Sequence, residues 1–166
     1  MEHTYHYDSP LGGMTVICDG EALTGLWFDH QKHVPISSAG PDETGEAPII
    51  EETIRWLNLY FSGRDPGFTP KLKIQTTAFR KTVWEILLTI PYGKTVTYGE
   101  VAERAANQMH LPRMSAQAVG GAVGHNPFAL IIPCHRVIGA NGALTGYAAG
   151  IERKRMLLEM EKGIRD

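Results

Sequence analysis

The segment Asp65-Pro66-Gly67-Phe68-Thr69-Pro70 constrains this chain most, because two prolines and a glycine within six residues interrupt both helix and strand. The chain differs on its two sides in texture and in charge. Residues 1–70 carry 11 Asp and Glu against 3 Lys and Arg, a net of −8, whereas residues 71–166 carry 7 against 13, a net of +6. With 166 residues the chain has room for two small domains, and the expectation is one over 1–70 and a second over 71–166. A basic half suits a polyanionic partner, since such footprints are local patches. Simple drift of surface charge is the alternative.

The acidic half reads as strands and turns: Tyr5-His6-Tyr7, the turn Ser9-Pro10-Leu11-Gly12-Gly13, Met14 to Cys18, and Leu23 to Phe28. Ile49, Ile50, Ile54, Leu57 and Leu59-Tyr60-Phe61 then recur at helical spacing up to Ser62-Gly63. A small sheet plus a helix follows. The intervening stretch from Pro35 to Gly45 reads as a loop.

The basic half is mostly helical. Phe79, Val83, Trp84, Leu87 and Leu88 mark an amphipathic helix stopped by Ile90-Pro91-Tyr92-Gly93. Thr97-Tyr98-Gly99-Glu100 has the spacing of a capping box, which predicts a helix through Ala106. Ser115 then caps a second short helix, Ala116 to Gly124, and the pair outlines a helix-turn-helix. That second helix holds three glycines, at about 1 kcal/mol each relative to alanine. Close packing against a core element is one cause, and close approach to a ligand backbone is the other. Phe128 to Ile132 reads as a buried strand, Asn141-Gly142 as the turn of a hairpin wing, and Ile151 to Glu161 as a helix with Ile151, Leu157, Leu158 and Met160 apolar.

The two cysteines, Cys18 and Cys134, are expected free, because the chain shows neither a spanning apolar run nor a secretory leader and reads as cytoplasmic. His30 and His33 have helix-like spacing, but they adjoin the loop and read as solvated, so no metal is expected. Chemistry concentrates at Pro133-Cys134-His135-Arg136. A proton acceptor and a cation beside a thiol favour the thiolate, which is the nucleophile. On a strand, however, neighbours face opposite sides, so a water would have to bridge His135 to the sulfur.

Asn126-Pro127, Ile132 to Gly139, Gly142 and Gly146-Tyr147 resemble the active-site segment of the O6-alkylguanine-DNA alkyltransferases, also called methylated-DNA–protein-cysteine methyltransferases. Phe79 with Val83-Trp84, Ile90 to Gly93, Tyr98, Ala118 to Ala122, and Leu157-Leu158 with Glu161 fall in the same order and spacing. The likeness is strong over about residues 78–161. Over residues 1–70 it is to the family's variable N-terminal domain, with Ser9 to Gly12 the most similar piece.

The resemblance implies an α/β N-terminal domain, ribonuclease H-like, followed by a mostly α winged helix-turn-helix domain that binds DNA. It implies a single-turnover protein that moves an alkyl group from O6 of guanine, or O4 of thymine, onto Cys134, with no cofactor. His135 and Glu161 would relay the proton, Asn126 would brace the site, and Tyr98 would assist rotation of the nucleotide and protonation of the leaving base. Tyr98, Gly99, Ser115, Ala116, Gln117, Ala118, Gly121 and Arg136 would meet double-stranded DNA, while Pro133, Val137, Tyr147 and Ala148 would line the base pocket. Two residues depart from the pattern: Gln117 stands where many members have an arginine that replaces the flipped base, and Ala148 where some have serine. A monomer is expected. Rival readings are an alkyltransferase-like protein that binds damage without repair, against which Cys134 stands; a winged-helix regulator using Cys134 as a sensor; and a thiol hydrolase.

Overall fold

The computed structural model describes residues 2–31 and 47–163. Two compact units result, Met1–Ile74 and Gln75–Asp166. The first opens with three strands, β1 (His3–Ser9), β2 (Gly12–Cys18) and β3 (Leu23–Phe28), in an antiparallel meander. The β1–β2 turn closes tightly. Ser9 Oγ donates to the Gly12 carbonyl at 2.6 Å and accepts the Leu11 N–H at 3.1 Å, and Gly12 takes a φ of 122° that a side chain would resist.

Helix α1 (Pro48–Phe61) begins with a proline in its first turn, where the missing N–H would have had no helical partner. Its buried residues, Ile49, Ile50, Thr53, Trp56, Leu57 and Tyr60, form one stripe that packs on β1 and β2. There they meet the buried Met14, Val16 and Cys18 of β2, which alternate as a strand requires. The loop expected between Pro35 and Gly45, and His33 of the weighed metal pair, lie outside the described residues.

The segment rich in proline and glycine is clasped to this first unit. Trp56 Nε1 donates to the Phe68 carbonyl at 2.9 Å. Beyond it, Leu72 bridges Leu23 in parallel, with Leu23 N–H on Lys71 O at 2.7 Å and Lys73 N–H on Leu23 O at 2.8 Å. The division between units therefore falls after Ile74.

The second unit contains α2 (Ala78–Leu88), β4 (Val96–Thr97), α3 (Tyr98–Gln108), α4 (Ala116–Gly124), β5 (Val137–Ile138) and α5 (Ile151–Glu161). Three helix starts carry hydroxyl caps: Thr77, Thr97 and Ser115 accept the N–H groups of Arg80, Glu100 and Ala118. Helices α2, α3 and α4 pack on one another, and Trp84 Nε1 ties α2 to the Ala122 carbonyl of α4 at 2.9 Å. Among the described residues, no helix is long and apolar enough to cross a membrane.

Two sequence expectations need correction. Phe128 to Ile132 is a coiled turn and not a strand. The Asn126 side chain nucleates it: Oδ1 accepts the Phe128 N–H at 2.9 Å, and Nδ2 donates to the carbonyls of Ile132 at 2.8 Å and Phe128 at 3.3 Å. A short run that is apolar throughout has no periodicity to tell strand from turn. Nor is the wing a two-stranded hairpin, for although Asn141 and Gly142 both adopt positive φ as their pairing suggests, β5 pairs in parallel with β4. Asn126→Ala is expected to leave the buried Phe128 N–H unsatisfied, at about 1–3 kcal/mol, and to take from the Ile132 carbonyl one donor while the Cys134 N–H remains on it, measurable as a lowered urea midpoint.

Candidate active site

Cys134, His135 and Arg136 occupy a single 3-10 turn that follows Pro133. Such a turn spreads consecutive side chains around its axis, so the strand geometry that would have set His135 opposite the thiol does not apply. All three residues are buried, with His135 at 0% exposure and Cys134 at 5%. Their partner is α5, whose buried residues Lys154, Leu157, Leu158 and Glu161 follow the i, i+3, i+4, i+7 spacing of one helical face. That stripe carries a cation at one end and a carboxylate at the other.

Glu161 is the hub. Its Oε2 lies 2.5 Å from His135 Nε2 and 3.2 Å from Arg136 Nη2, and its Oε1 accepts from Arg136 Nε at 2.8 Å and from the Gly93 N–H at 3.1 Å. Burial by itself would raise this carboxyl, but the hydrogen bonds and charges of His135 and Arg136 prevail and hold it at about 2. The carboxylate is an acceptor only, so His135 carries its proton on Nε2 and directs a bare Nδ1 elsewhere. Burial also lowers the His135 imidazole, despite Glu161, so the ring is neutral near pH 7.

Burial raises the Cys134 thiol above its ordinary value. Three neighbours oppose this: the polar groups of Asn126 and Tyr147, and the ammonium of Lys154. The resting pair is therefore a neutral thiol beside a neutral imidazole. Reaction at sulfur would require a proton to move as the new bond forms.

Lys154 was missed in sequence, where it sits in the basic run Arg153-Lys154-Arg155. It is 0% exposed, donates to the Thr145 carbonyl at 2.7 Å, and places Nζ 5.8 Å from the centre of the Tyr98 ring. Burial lowers it to about 8. The signal was available: Lys154 and Glu161 bracket Leu157 and Leu158 at helical spacing, whereas Ile151, read as apolar face, is 52% exposed. Arg136 is a second correction. Expected against DNA, it is 8% exposed and engaged by Glu161 and by the Ile90 carbonyl at 2.7 Å.

The residues expected at DNA gather elsewhere on the unit. Ser115, Ala116, Gln117, Ala118 and Gly121 form the exposed face of α4, while Val119, Ala122 and Val123 face the interior. A pocket of about 590 Å³ opens between that helix and the start of α3, lined by Thr97, Tyr98, Gly99, Ala116, Gln117, Gly120 and Ala140. Pro133, Val137, Tyr147 and Ala148 do not line it; Pro133 and Val137 are buried, and Tyr147 and Ala148 are half-buried. The glycines of α4 are not there for internal packing. A Cβ on Gly121 or Gly124 would meet nothing within 4 Å, and one on Gly120 only the Tyr98 ring at 4.0 Å. Among the described residues, no group of three His, Cys, Asp or Glu is placed to hold a metal ion.

The depressed Glu161 carboxyl gives acid stability a definite sign. The unfolded chain takes up this proton near 4.5 and the folded one only near 2, so the contribution is full above 4.5 and is lost as pH falls toward 2. Glu161→Gln should lose that part of the pH dependence, read as one proton fewer bound on unfolding between pH 4.5 and 2.

Residues 3–74 match the family profile described as 6-O-methylguanine DNA methyltransferase, ribonuclease-like domain, and residues 78–163 match the one described as 6-O-methylguanine DNA methyltransferase, DNA binding domain. The methylated-DNA–protein-cysteine methyltransferase of Mycobacterium tuberculosis is 45% identical over 162 residues, covering 98% of this chain and 93% of the relative. That of Methanosarcina mazei is 50% identical over 161 residues, covering 95% and 96%. The crystal structure of Mycobacterium tuberculosis O6-methylguanine methyltransferase superimposes with a TM-score of 0.84 at 45% identity, covering 100% of this chain and 96% of that one. The Mycobacterium tuberculosis OGT in complex with DNA gives 0.85 at 45% identity, covering 98% and 94%. By sequence over nearly its whole length and by fold, this chain belongs to the 6-O-methylguanine DNA methyltransferase family.

Proposed function

We propose that this protein repairs alkylated DNA by moving the alkyl group from O6 of guanine to the sulfur of Cys134. The observation that carries the reading is the neutral acceptor next to a buried thiol: His135, aligned by Glu161, adjoins Cys134 on one turn. The thiol proton passes toward Nδ1 of His135 as sulfur attacks the alkyl carbon. The S–C bond forms, the C–O6 bond breaks, and guanine departs with one proton gained, so that the proton lost by the thiol balances the one taken by the base. A thioether is stable, and each chain acts once.

The lesion has to leave the base stack, which costs a few kcal/mol. The exposed Ala and Gly face of α4 suits close approach to a DNA groove, with Gln117 filling space where the base was. Tyr98 lines the pocket, which suits a part in the nucleotide's rotation and in proton supply to the base. Burial raises its hydroxyl, so it stays protonated until the base demands the proton. Duplex DNA carrying O6-alkylguanine is the partner, the protein acts as a monomer, and the second unit holds every group the transfer uses.

The test is the intact mass of the protein after incubation with a duplex carrying one O6-methylguanine, with an undamaged duplex as control. One methyl per chain, mapped to the Cys134 peptide and absent in Cys134→Ala, is expected; binding without any mass gain would overturn repair in favour of damage recognition. Gly121→Ala separates the two demands on α4. It should raise stability by about 0.5–1 kcal/mol, because the methyl meets nothing and helix propensity improves, yet weaken duplex binding in a titration. An unchanged affinity would remove this face as the contact.

A further inference from the structure

The burial of Arg136 leaves it without a role at the DNA surface and gives it one inside. An ionised carboxylate offers about four lone-pair sites. Glu161 fills its own with the Gly93 N–H, His135 Nε2 and two nitrogens of Arg136, so the guanidinium holds one site on each oxygen. The side chains concerned are 1% exposed for Glu161, 0% for His135 and 10% for Arg136. The third arm of the guanidinium donates to the Ile90 carbonyl at 2.7 Å, and its carbon lies 5.6 Å from the centre of the Tyr92 ring. Within this cluster one anion meets one cation, and the imidazole completes a neutral set only while it is uncharged. Without Arg136, the buried charge of Glu161 would be balanced most cheaply by a proton on His135, because an unpaired buried carboxylate is costly.

We propose that Arg136 is a positioning residue of the alkyl-transfer site: it matches the charge of Glu161 and fixes its plane, thereby reserving His135 as the neutral acceptor for the Cys134 proton. The proposal deepens the repair reading and rests on it. Other groups that face the imidazole act with Arg136 or are uncharged in the resting state. Lys154 on α5 also disfavours the imidazolium, Tyr147 presents its ring edge with centroids 6.4 Å apart, and Cys134 is the neighbour on the same turn. Glu161 alone favours the charged ring. Removing Arg136 therefore leaves that pull opposed by burial and Lys154 alone.

The experiment measures, on the full chain, the pH dependence of Cys134 alkylation by iodoacetamide, mapped by peptide mass to separate Cys134 from Cys18, together with single-turnover methyl transfer from the damaged duplex. In the wild type, the acidic limb should have its midpoint below the ordinary histidine value of 6.5. Arg136→Gln keeps donors but loses the charge, and its midpoint should rise by at least about one pH unit, the usual scale for a lost neighbouring charge. Arg136→Lys, which keeps the charge and gives up the fork, should return the midpoint to the wild-type position. A folded Arg136→Gln with the wild-type midpoint and only a lower melting temperature would overturn the proposal, since Arg136 would then merely hold the Ile90 loop. If Arg136→Gln does not fold, Arg136→Lys decides, because a displaced midpoint there refutes charge matching. Iodoacetamide profiles that behave as expected in a protein that takes no methyl from DNA would sink the repair reading and leave the role of Arg136 standing.

Discussion

The second unit depends on the carboxylate of Glu161. It joins three parts of the chain that are far apart in sequence: the turn bearing Cys134, His135 and Arg136, the Gly93 backbone after α2, and the last turn of α5. A buried carboxylate is tolerable only when its acceptor sites are filled, and here they are filled by one imidazole, one guanidinium and one backbone amide. The stability of the fold and the protonation of His135 are thus set by the same atoms. A change at any donor is felt at the others, which is why the effects of substitutions here should not add.

Around the thiol the forces are deliberately unequal. Burial opposes the thiolate, while Lys154, Asn126 and Tyr147 favour it, and burial prevails in the resting protein. A thiol held this way stays protonated in the resting protein but can ionise once a neutral base accepts its proton. The buried Lys154, lowered to about 8 yet still attracted to Cys134, supplies positive charge without an anion of its own to quench it. Helix α4, proposed to face DNA, works by opposite means. It presents backbone and methyl groups, so its contribution is shape, and its glycines sacrifice helix propensity where no neighbouring atom requires it.

Much of this was legible in the sequence, for identifiable reasons. Helices α1 and α2 could be read from their apolar spacing and α3 and α4 from their caps: Thr97 and Ser115 each hold the amide three residues on, as their positions suggested. The Pro-Cys-His-Arg run pointed to thiol chemistry, and the order of surrounding motifs pointed to a family that the comparisons bear out. Four features were misread or missed. The run Phe128 to Ile132 coils around the Asn126 amide; in place of a hairpin wing, β5 pairs in parallel with β4; Arg136 turns inward to Glu161; and Lys154, passed over in its basic run, is buried. Three of these turn on side-chain hydrogen bonds, of Asn126 to Phe128 and Ile132, of Lys154 to Thr145 and of Arg136 to Glu161, which apolar periodicity does not register.

The sequence by itself determined which residue types are present and which segments coil or extend, because helical period, capping and turn chemistry are properties of neighbours within a few residues. It determined that a thiol, an imidazole and a guanidinium would be consecutive. Only the tertiary structure decided their states. Whether His135 is neutral, whether Arg136 faces DNA or Glu161, and whether Lys154 is solvated depend on which charges burial brings within hydrogen-bonding distance. That follows from the packing of α5 against the Cys134 turn, across some 25 residues of chain between Arg136 and Glu161. Electrostatic free energy depends on distance and local dielectric, and neither is written in the spacing of residues along a chain.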